Sequence, residues 1–192
     1  MRIRSPAVAD LFYPGTAPEL RATLERLLAR AGASGSPAPV KALIVPHAGY
    51  VYSGALASRA YARLGPRVRE IERVVLLGPC HRVWVDGLAL PEAEAFETPL
   101  GIVPVDQALR ARVATLPGVT TSAAAHREEH SLEVQLPFLQ AVLGNLLHER
   151  VPIRDMVTII ETAGDAAEHS TSADYVAEKV REALGRAIVR EL

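Results

Sequence analysis

Two short apolar runs, at residues 40–45 (VKALIV) and 73–77 (RVVLL), limit most what this chain can fold into. Each run has the length and composition of a strand that is buried on both faces. Between them, residues 53–64 carry Ala57, Tyr61 and Leu64 at helical spacing. A strand, a helix and a second strand in this order are typical of a parallel βαβ unit. We therefore predict the α/β fold class, with a parallel or mixed sheet and flanking helices.

The remaining elements follow from periodicity and from punctuating residues. A first helix begins after Thr16, which can cap it, has Pro18 in its first turn, and runs to about Arg30. Leucines at helical spacing support it. Ser131 to Leu143 reads as a helix that Pro137 kinks. Further strands are predicted at residues 87–90 and 101–105, and further helices at 107–116 and 175–192.

Composition narrows the classes of partner and compartment. The 192 residues suffice for one α/β domain, and the formal net charge of -1 gives no reason to expect nucleic acid or an anionic membrane as partner. The single cysteine, Cys80, excludes a disulfide within the chain and favours a reducing compartment. Neither a signal peptide nor an apolar run of about 18 residues is present. We expect a cytoplasmic protein whose oligomeric state the sequence leaves open.

His47 and His81 each follow one of the two predicted strands, in loops that contain glycine and proline. Ligands of open parallel sheets bind beyond the carboxyl ends of the strands. Two neutral imidazoles side by side suit a divalent transition metal. One such histidine would more often only cap its strand with a hydrogen bond. Two in equivalent loops favour a metal site.

His130 lies between Glu129 and Ser131, with Glu128 and Glu133 close by in the chain. Neighbouring carboxylates can orient its ring and raise its basicity, which suits a general acid/base and also a metal ligand. The same segment could equally be a helix start with solvated charges, and spacing alone does not decide between these readings.

The other candidate residues are weaker. His126 precedes His130 by four residues, as in some zinc sites, but the zinc-protease pattern H-E-x-x-H is absent. Cys80 could bind metal as a thiolate, although small buried cysteines are more common. We expect His148 and His169 to lie on the surface.

Five ordered motifs in residues 1–143 carry a resemblance to a known family. They are RSPAVA at 4–9 with FYP at 12–14, PHAGY at 46–50 with YSG at 52–54, LGP at 77–79 with His81, FETPLG at 96–101 with VD at 105–106, and EHSLEVQLPFLQ at 129–140. With these motifs the chain resembles the Memo-like family, also called AmmeMemoRadiSam system protein B. Five motifs in order are far more specific than any one alone.

The resemblance implies a fold like that of the LigB-type extradiol ring-cleaving dioxygenases. It implies His47 and His81 as ligands of a divalent metal, iron in the first place and copper or zinc as alternatives. It implies His130 as the acid/base group. Roles that come with the family are metal binding, redox activity and phosphopeptide binding, so the partner would be a small molecule or a peptide.

The chain departs from the family after Gln140, because no Ser-Asp-x-x-His type of motif follows and the chain is shorter than the family norm. We therefore expect an incomplete LigB-like fold in domain 1–143. The segment 144–192 is predicted to be a helical tail. NLLHERVPIRDM at 145–156, TIIET at 158–162 and the helix beyond Tyr175 resemble a cytoplasmic fragment of the flagellar or type III export-gate protein. These two resemblances predict a chimera.

Three functions compete on the sequence alone. The chain could be a metal-dependent oxidoreductase of dioxygenase type, a non-catalytic module that binds a peptide or small ligand, or a non-functional truncated fusion. Metal content, ligand binding without metal, and cooperative unfolding separate them.

Overall fold

The structure is a computed structural model that describes residues 1–32, 40–65, 68 and 71–147, with side chains described as far as residue 143. The chain divides into two compact units, Met1–Gly144 and Asn145–Leu192. The sheets, the core and the candidate site belong to the first. Most of the predicted tail, including its helix at 175–192, His148 and His169, lies outside the described residues.

Two small sheets carry the described strands. In the first, β1 (Ile3–Arg4) pairs parallel to β3 (Ala95–Thr98), which forms an antiparallel hairpin with β4 (Gly101–Pro104). In the second, β2 (Leu88–Leu90) pairs parallel to β5 (Val119–Thr121). The mixed α/β class is confirmed in this coarse form. The strands β1, β3 and β5 were not predicted from the sequence because each has at most four residues, too few to show a periodic pattern.

The helices agree with the pattern more closely than the strands do. The structure has α1 (Ala17–Ala31), α2 (Tyr50–Ala62), α3 (Gln107–Val113), α4 (Ala123–Arg127) and α5 (Leu136–Leu147), with a 3₁₀ turn at Glu133–Gln135. The Thr16 hydroxyl donates to Glu19 rather than accepting from the α1 backbone, so the predicted side-chain cap is wrong. Pro137 lies in the first turn of α5, where its missing N–H costs no hydrogen bond, and therefore does not kink a longer helix.

The core is formed by α1, α2 and α5 together with Val8 and Tyr13 near the start of the chain. Tyr61 stacks on Phe138 with 5.2 Å between ring centroids, and Tyr50 contacts the same ring at 4.8 Å. The buried cluster contains Val8, Tyr13, Leu20, Leu24, Tyr50, Ala57, Tyr61, Val134, Phe138 and Leu139. The segment just after His130 is thus anchored in the core through Val134 and Phe138.

The two apolar runs that predicted a buried βαβ unit are not strands here. Residues 40–46 and 71–80 belong to no helix or strand. Leu43, Val45 and Leu76 pack against the core, whereas Ile44 is fully exposed and Leu77 is 76% exposed. The prediction of buried strands is therefore wrong for the described residues. One face of each run packs on the core, but no described strand lies beside either run to pair with its backbone. Neither run therefore forms a strand.

No helix within the described residues is both long and apolar enough to cross a membrane.

Candidate metal centre

Three histidines from distant parts of the chain come together at one place. His47 lies between the extended residues 40–46 and α2, His81 follows the second apolar run, and His130 lies between α4 and the 3₁₀ turn. One ligand atom from each lies within 4.8 Å of those of the other two. The ring centroids are 5.2 Å apart for His47 and His81, and 4.5 Å apart for His81 and His130. The structure therefore brings together the three residues that the sequence singled out.

Glu129 holds two segments of this cluster at once. Its Oε1 accepts hydrogen bonds from His81 Nδ1 at 2.9 Å and from the backbone N–H groups of His130 and Ser131 at 2.8 Å. Its Oε2 accepts from the His81 backbone N–H at 2.6 Å. Burial opposes ionisation of this carboxyl, but the hydrogen bonds from His81 and Ser131 outweigh burial and lower its pKa to about 2. Glu129 is therefore ionised at neutral pH.

The His81 loop packs tightly against the segment after His130. The Ser131 hydroxyl donates to the Pro79 carbonyl oxygen at 2.8 Å. A Cβ atom on Gly78 would lie 2.8 Å from Ser131 Oγ and 2.9 Å from Leu132 Cδ2, closer than real Cβ contacts. A side chain at position 78 would therefore require the side chains of Ser131 and Leu132, or the loop itself, to shift.

His47 is held through its neighbour Pro46. The Gln135 side-chain amide donates to the Pro46 carbonyl oxygen at 3.0 Å, and the Tyr61 hydroxyl donates to the Gln135 amide oxygen at 2.9 Å. Of these two partners, Tyr61 belongs to the core cluster and Pro46 to the loop that carries His47. A glutamine in the 3₁₀ turn thus connects the core to the loop that carries His47.

The His130 side chain is 20% exposed, and its ring lies 4.7 Å from that of Phe12. Burial lowers the pKa of His130, the carboxylate of Glu129 partly opposes this shift, and His81 and His47 add to it. His130 is therefore neutral at pH 7, with a lone pair free for a metal or a proton. As the sequence predicted, Glu129 lies beside the His130 ring, with 3.4 Å between Oε1 and Nδ1, but its shorter contact is to the His81 ring, at 2.9 Å.

A buried ion pair anchors the segment that contains Glu129 and His130. Arg4 pairs with Glu133, whose side chain is fully buried, and Arg4 Nη2 also donates to the Glu129 carbonyl oxygen at 2.6 Å. Glu133 accepts further from the Tyr13 hydroxyl at 2.6 Å and from the backbone N–H of Val8 at 3.0 Å. From the sequence, Arg4 had no predicted role, and Glu133 was considered only as one of the carboxylates near His130. The available signal was a charged residue directly between two apolar ones, Leu132 and Val134.

The weaker candidates lie outside the cluster. His126 Nε2 bonds to the Ala89 carbonyl oxygen at 2.9 Å and so faces β2. The suggested His126–His130 zinc pair is therefore not part of the three-histidine group. Cys80 is exposed, against the expectation of a small buried cysteine, and its Sγ lies 3.6 Å from the Ala125 carbonyl oxygen.

Comparison with known proteins decides the family. The family model described as Memo-like protein matches residues 4–189. The chain belongs to this Memo-like family. A MEMO1 family protein of Aquifex aeolicus is 45% identical over 141 residues, covering 73% of this chain and 50% of its own length. One of Methanocaldococcus jannaschii is 36% identical over 200 residues, covering 98% of this chain and 67% of its own length.

These matches bear on the extent of the family in this chain. The chain spans about half the length of the Aquifex relative. The family model continues past residue 143 and covers most of the segment 144–192. The resemblance of that segment to an export-gate protein, and the chimera it implies, stay predictions.

Proposed function

We propose that this Memo-family chain binds a divalent transition metal, with His47 and His81 as ligands and His130 as the acid/base group beside it. The observation that carries the proposal is the convergence of three imidazoles, with one ligand atom of each within 4.8 Å of the others. Imidazole nitrogen suits iron, copper and zinc. The donor set therefore fits such a metal, and we name iron(II) as the metal because of the resemblance to extradiol dioxygenases.

The surroundings of the cluster leave His81 open to solvent on one side and hold its ring through the buried Glu129 on the other. The His81 side chain is 40% exposed, whereas Glu129 behind it is 6% exposed. A metal or a substrate can therefore reach His81 from solvent, while the carboxylate behind the ring holds it in place. This is the arrangement that catalytic metal sites need, with fixed ligands and an open position.

His130 is proposed for proton transfer because its lowered pKa keeps the imidazole neutral at pH 7. A neutral imidazole can take a proton from a bound substrate and return it later. When bound, the metal would supply Lewis acidity and a position for oxygen or substrate.

Metal analysis of the purified protein tests the ligand assignment. We expect the wild-type chain to bind about one equivalent of iron(II), and the His47→Ala and His81→Ala variants to lose it. His126→Ala is the control, because this histidine bonds to β2 instead. Unchanged metal content in both ligand variants would overturn the proposal.

The role of His130 has its own measurement. His130→Ala should keep at least most of the metal and lose proton-dependent chemistry. If its metal content falls as far as that of His47→Ala, His130 is a third ligand and the acid/base assignment is wrong.

The reaction class is the further part of the proposal. We propose an oxidoreductase of dioxygenase type, and the support is the likeness in fold that the Memo-like resemblance implies to the LigB-type extradiol dioxygenases. Oxygen uptake by the iron-loaded chain in the presence of catechol-type substrates tests it. A chain that holds iron but consumes no oxygen would favour the non-catalytic ligand-binding module instead.

A further inference from the structure

Glu129 contacts two of the three histidines, His81 and His130, through its two carboxylate oxygens. One oxygen accepts from the His81 ring and from two backbone N–H groups, and the other accepts from the His81 backbone N–H. Glu129 and His81 are 48 positions apart in the chain. Glu129 is therefore the link that sets the position of His81 relative to His130.

We propose that Glu129 is the positioning residue of the site, which fixes the tautomer and orientation of the His81 ring so that its Nε2 lone pair is available to a metal. This inference rests on the proposed metal-binding function. A carboxylate can only accept, so the Nδ1 atom that lies 2.9 Å from Glu129 Oε1 must carry the proton. The lone pair of a neutral His81 ring then lies on Nε2.

The tautomer of His81 is opposite to that of a second histidine in the same molecule. His126 bonds through Nε2 to the Ala89 carbonyl oxygen, which also only accepts, so its proton lies on Nε2. Free neutral histidine favours that same form. The Nδ1–H form of His81 is therefore imposed by Glu129, and His126 is an internal reference for it.

The neighbouring carboxylate offers a matched control. Glu128 is exposed and pairs only loosely with Arg82, at 3.6 Å. It stands one residue from Glu129 and carries the same charge. A Glu128→Gln variant changes the net charge as Glu129→Gln does, but leaves the contacts to His81 in place.

Nitrogen-15 NMR of the imidazoles, in metal-free protein labelled on histidine, tests the tautomer directly. In the wild type we expect His81 in the Nδ1–H form and His126 in the Nε2–H form, with His81 assigned by a His81→Gln variant. Glu129→Gln should shift His81 toward the Nε2–H form, and Glu128→Gln should not. A wild-type His81 in the Nε2–H form overturns the inference, and this outcome does not depend on whether the Glu129 variant folds.

Titration with cobalt(II), followed by its visible absorption, tests the consequence for the metal. Loss of the carboxylate partner of a metal-binding histidine weakens binding by about 10–100-fold. We expect this loss in Glu129→Gln and wild-type affinity in Glu128→Gln, with thermal unfolding recorded for both to confirm that they fold.

The two measurements separate this inference from the proposed function. If the wild type binds no cobalt, the metal proposal fails, while the tautomer of His81 still decides the role of Glu129. If the wild type binds cobalt and Glu129→Gln binds it equally well, the metal proposal stands and the positioning role is wrong.

Discussion

At the scale of single residues, the histidines could be predicted and the residues that hold them could not. Histidine after an apolar run, in a loop with glycine and proline, has few roles, so His47 and His81 stood out from residue type and place. Gln135 carried no such mark. Its partners, Pro46 and Tyr61, are 89 and 74 residues away, and only the folded chain places them around one side chain.

Replacement of Gln135 by methionine tests its part in holding His47. The change keeps the side-chain length but leaves the Pro46 carbonyl and the Tyr61 hydroxyl without this partner. We expect a loss of about 1–3 kcal/mol in the free energy of unfolding, and weaker metal binding. Gln140→Met is the control, because Gln140 bonds to Thr98 and Gly101. It should lower stability but leave metal affinity unchanged, and equal affinity losses would contradict this role for Gln135.

Gly78 offers a second test at the residue scale. An alanine there would place its Cβ 2.8 Å from Ser131 Oγ, so the Ser131 side chain, which bonds to Pro79, or the His81 loop must shift. Overpacking of this kind costs about 1–3 kcal/mol of unfolding free energy. We expect Gly78→Ala to unfold at lower temperature and to bind metal less tightly, whereas Cys80→Ala in the same loop should do neither. A Gly78→Ala protein with wild-type metal affinity would show that the loop position does not matter.

At the scale of elements, helices were predicted better than strands because a helix forms its hydrogen bonds within itself. Leu20 and Leu24 of α1, and Ala57 and Tyr61 of α2, specify buried faces without reference to the rest of the chain. A strand needs a neighbour. The apolar runs at 40–45 and 73–77 have the composition of strands, yet no described strand pairs with them. Composition alone therefore predicted two strands that are not formed.

The ion pair between β1 and the 3₁₀ turn should contribute strongly to the stability of the fold. Arg4 and Glu133 connect the start of the chain to the segment that carries His130, and both side chains are buried. Removal of one partner leaves a buried charge unpaired, which costs about 3–5 kcal/mol. We expect Arg4→Met to lower the free energy of unfolding by that amount in urea titrations.

The exposed pair Arg73–Asp106 is the comparison for this variant, at 2.9 Å on the surface. Exposed pairs contribute about 0–1 kcal/mol because solvent screens them. Arg73→Met should therefore be nearly neutral. Equal effects of the two variants would mean that the buried pair does not anchor β1.

At the scale of the whole molecule, the motifs predicted the family, and the family model then matched residues 4–189. The predicted boundary at residue 143 stays untested, because the described residues end at 147. Ordered motifs survive as a signal of family because each is short and local. A domain boundary depends on which residues pack together. The composition of residues 144–192 does not say which residues they pack against, so it does not fix the boundary.

Alkaline pH should destabilise the molecule through three core tyrosines. Burial raises the pKa of Tyr13, Tyr50 and Tyr61, and for Tyr13 the hydrogen bond to Glu133 adds to it. The unfolded chain releases phenol protons near pH 10, whereas the folded chain keeps them. Their contribution to stability is therefore complete below about pH 10 and is lost as the pH rises further.

Urea unfolding at pH 8 and pH 10.5 measures this loss. Tyr50→Phe removes one of the three phenols, together with its hydrogen bond to the Val134 carbonyl oxygen. The lost hydrogen bond lowers stability at both pH values, but the decrease between them should be smaller than in the wild type, because one fewer proton is released on unfolding. Tyr52→Phe, at an exposed position, should keep the wild-type decrease. If Tyr50→Phe loses as much stability with pH as the wild type does, the buried phenol at Tyr50 does not limit stability in alkali, and the cause lies in other groups that titrate there.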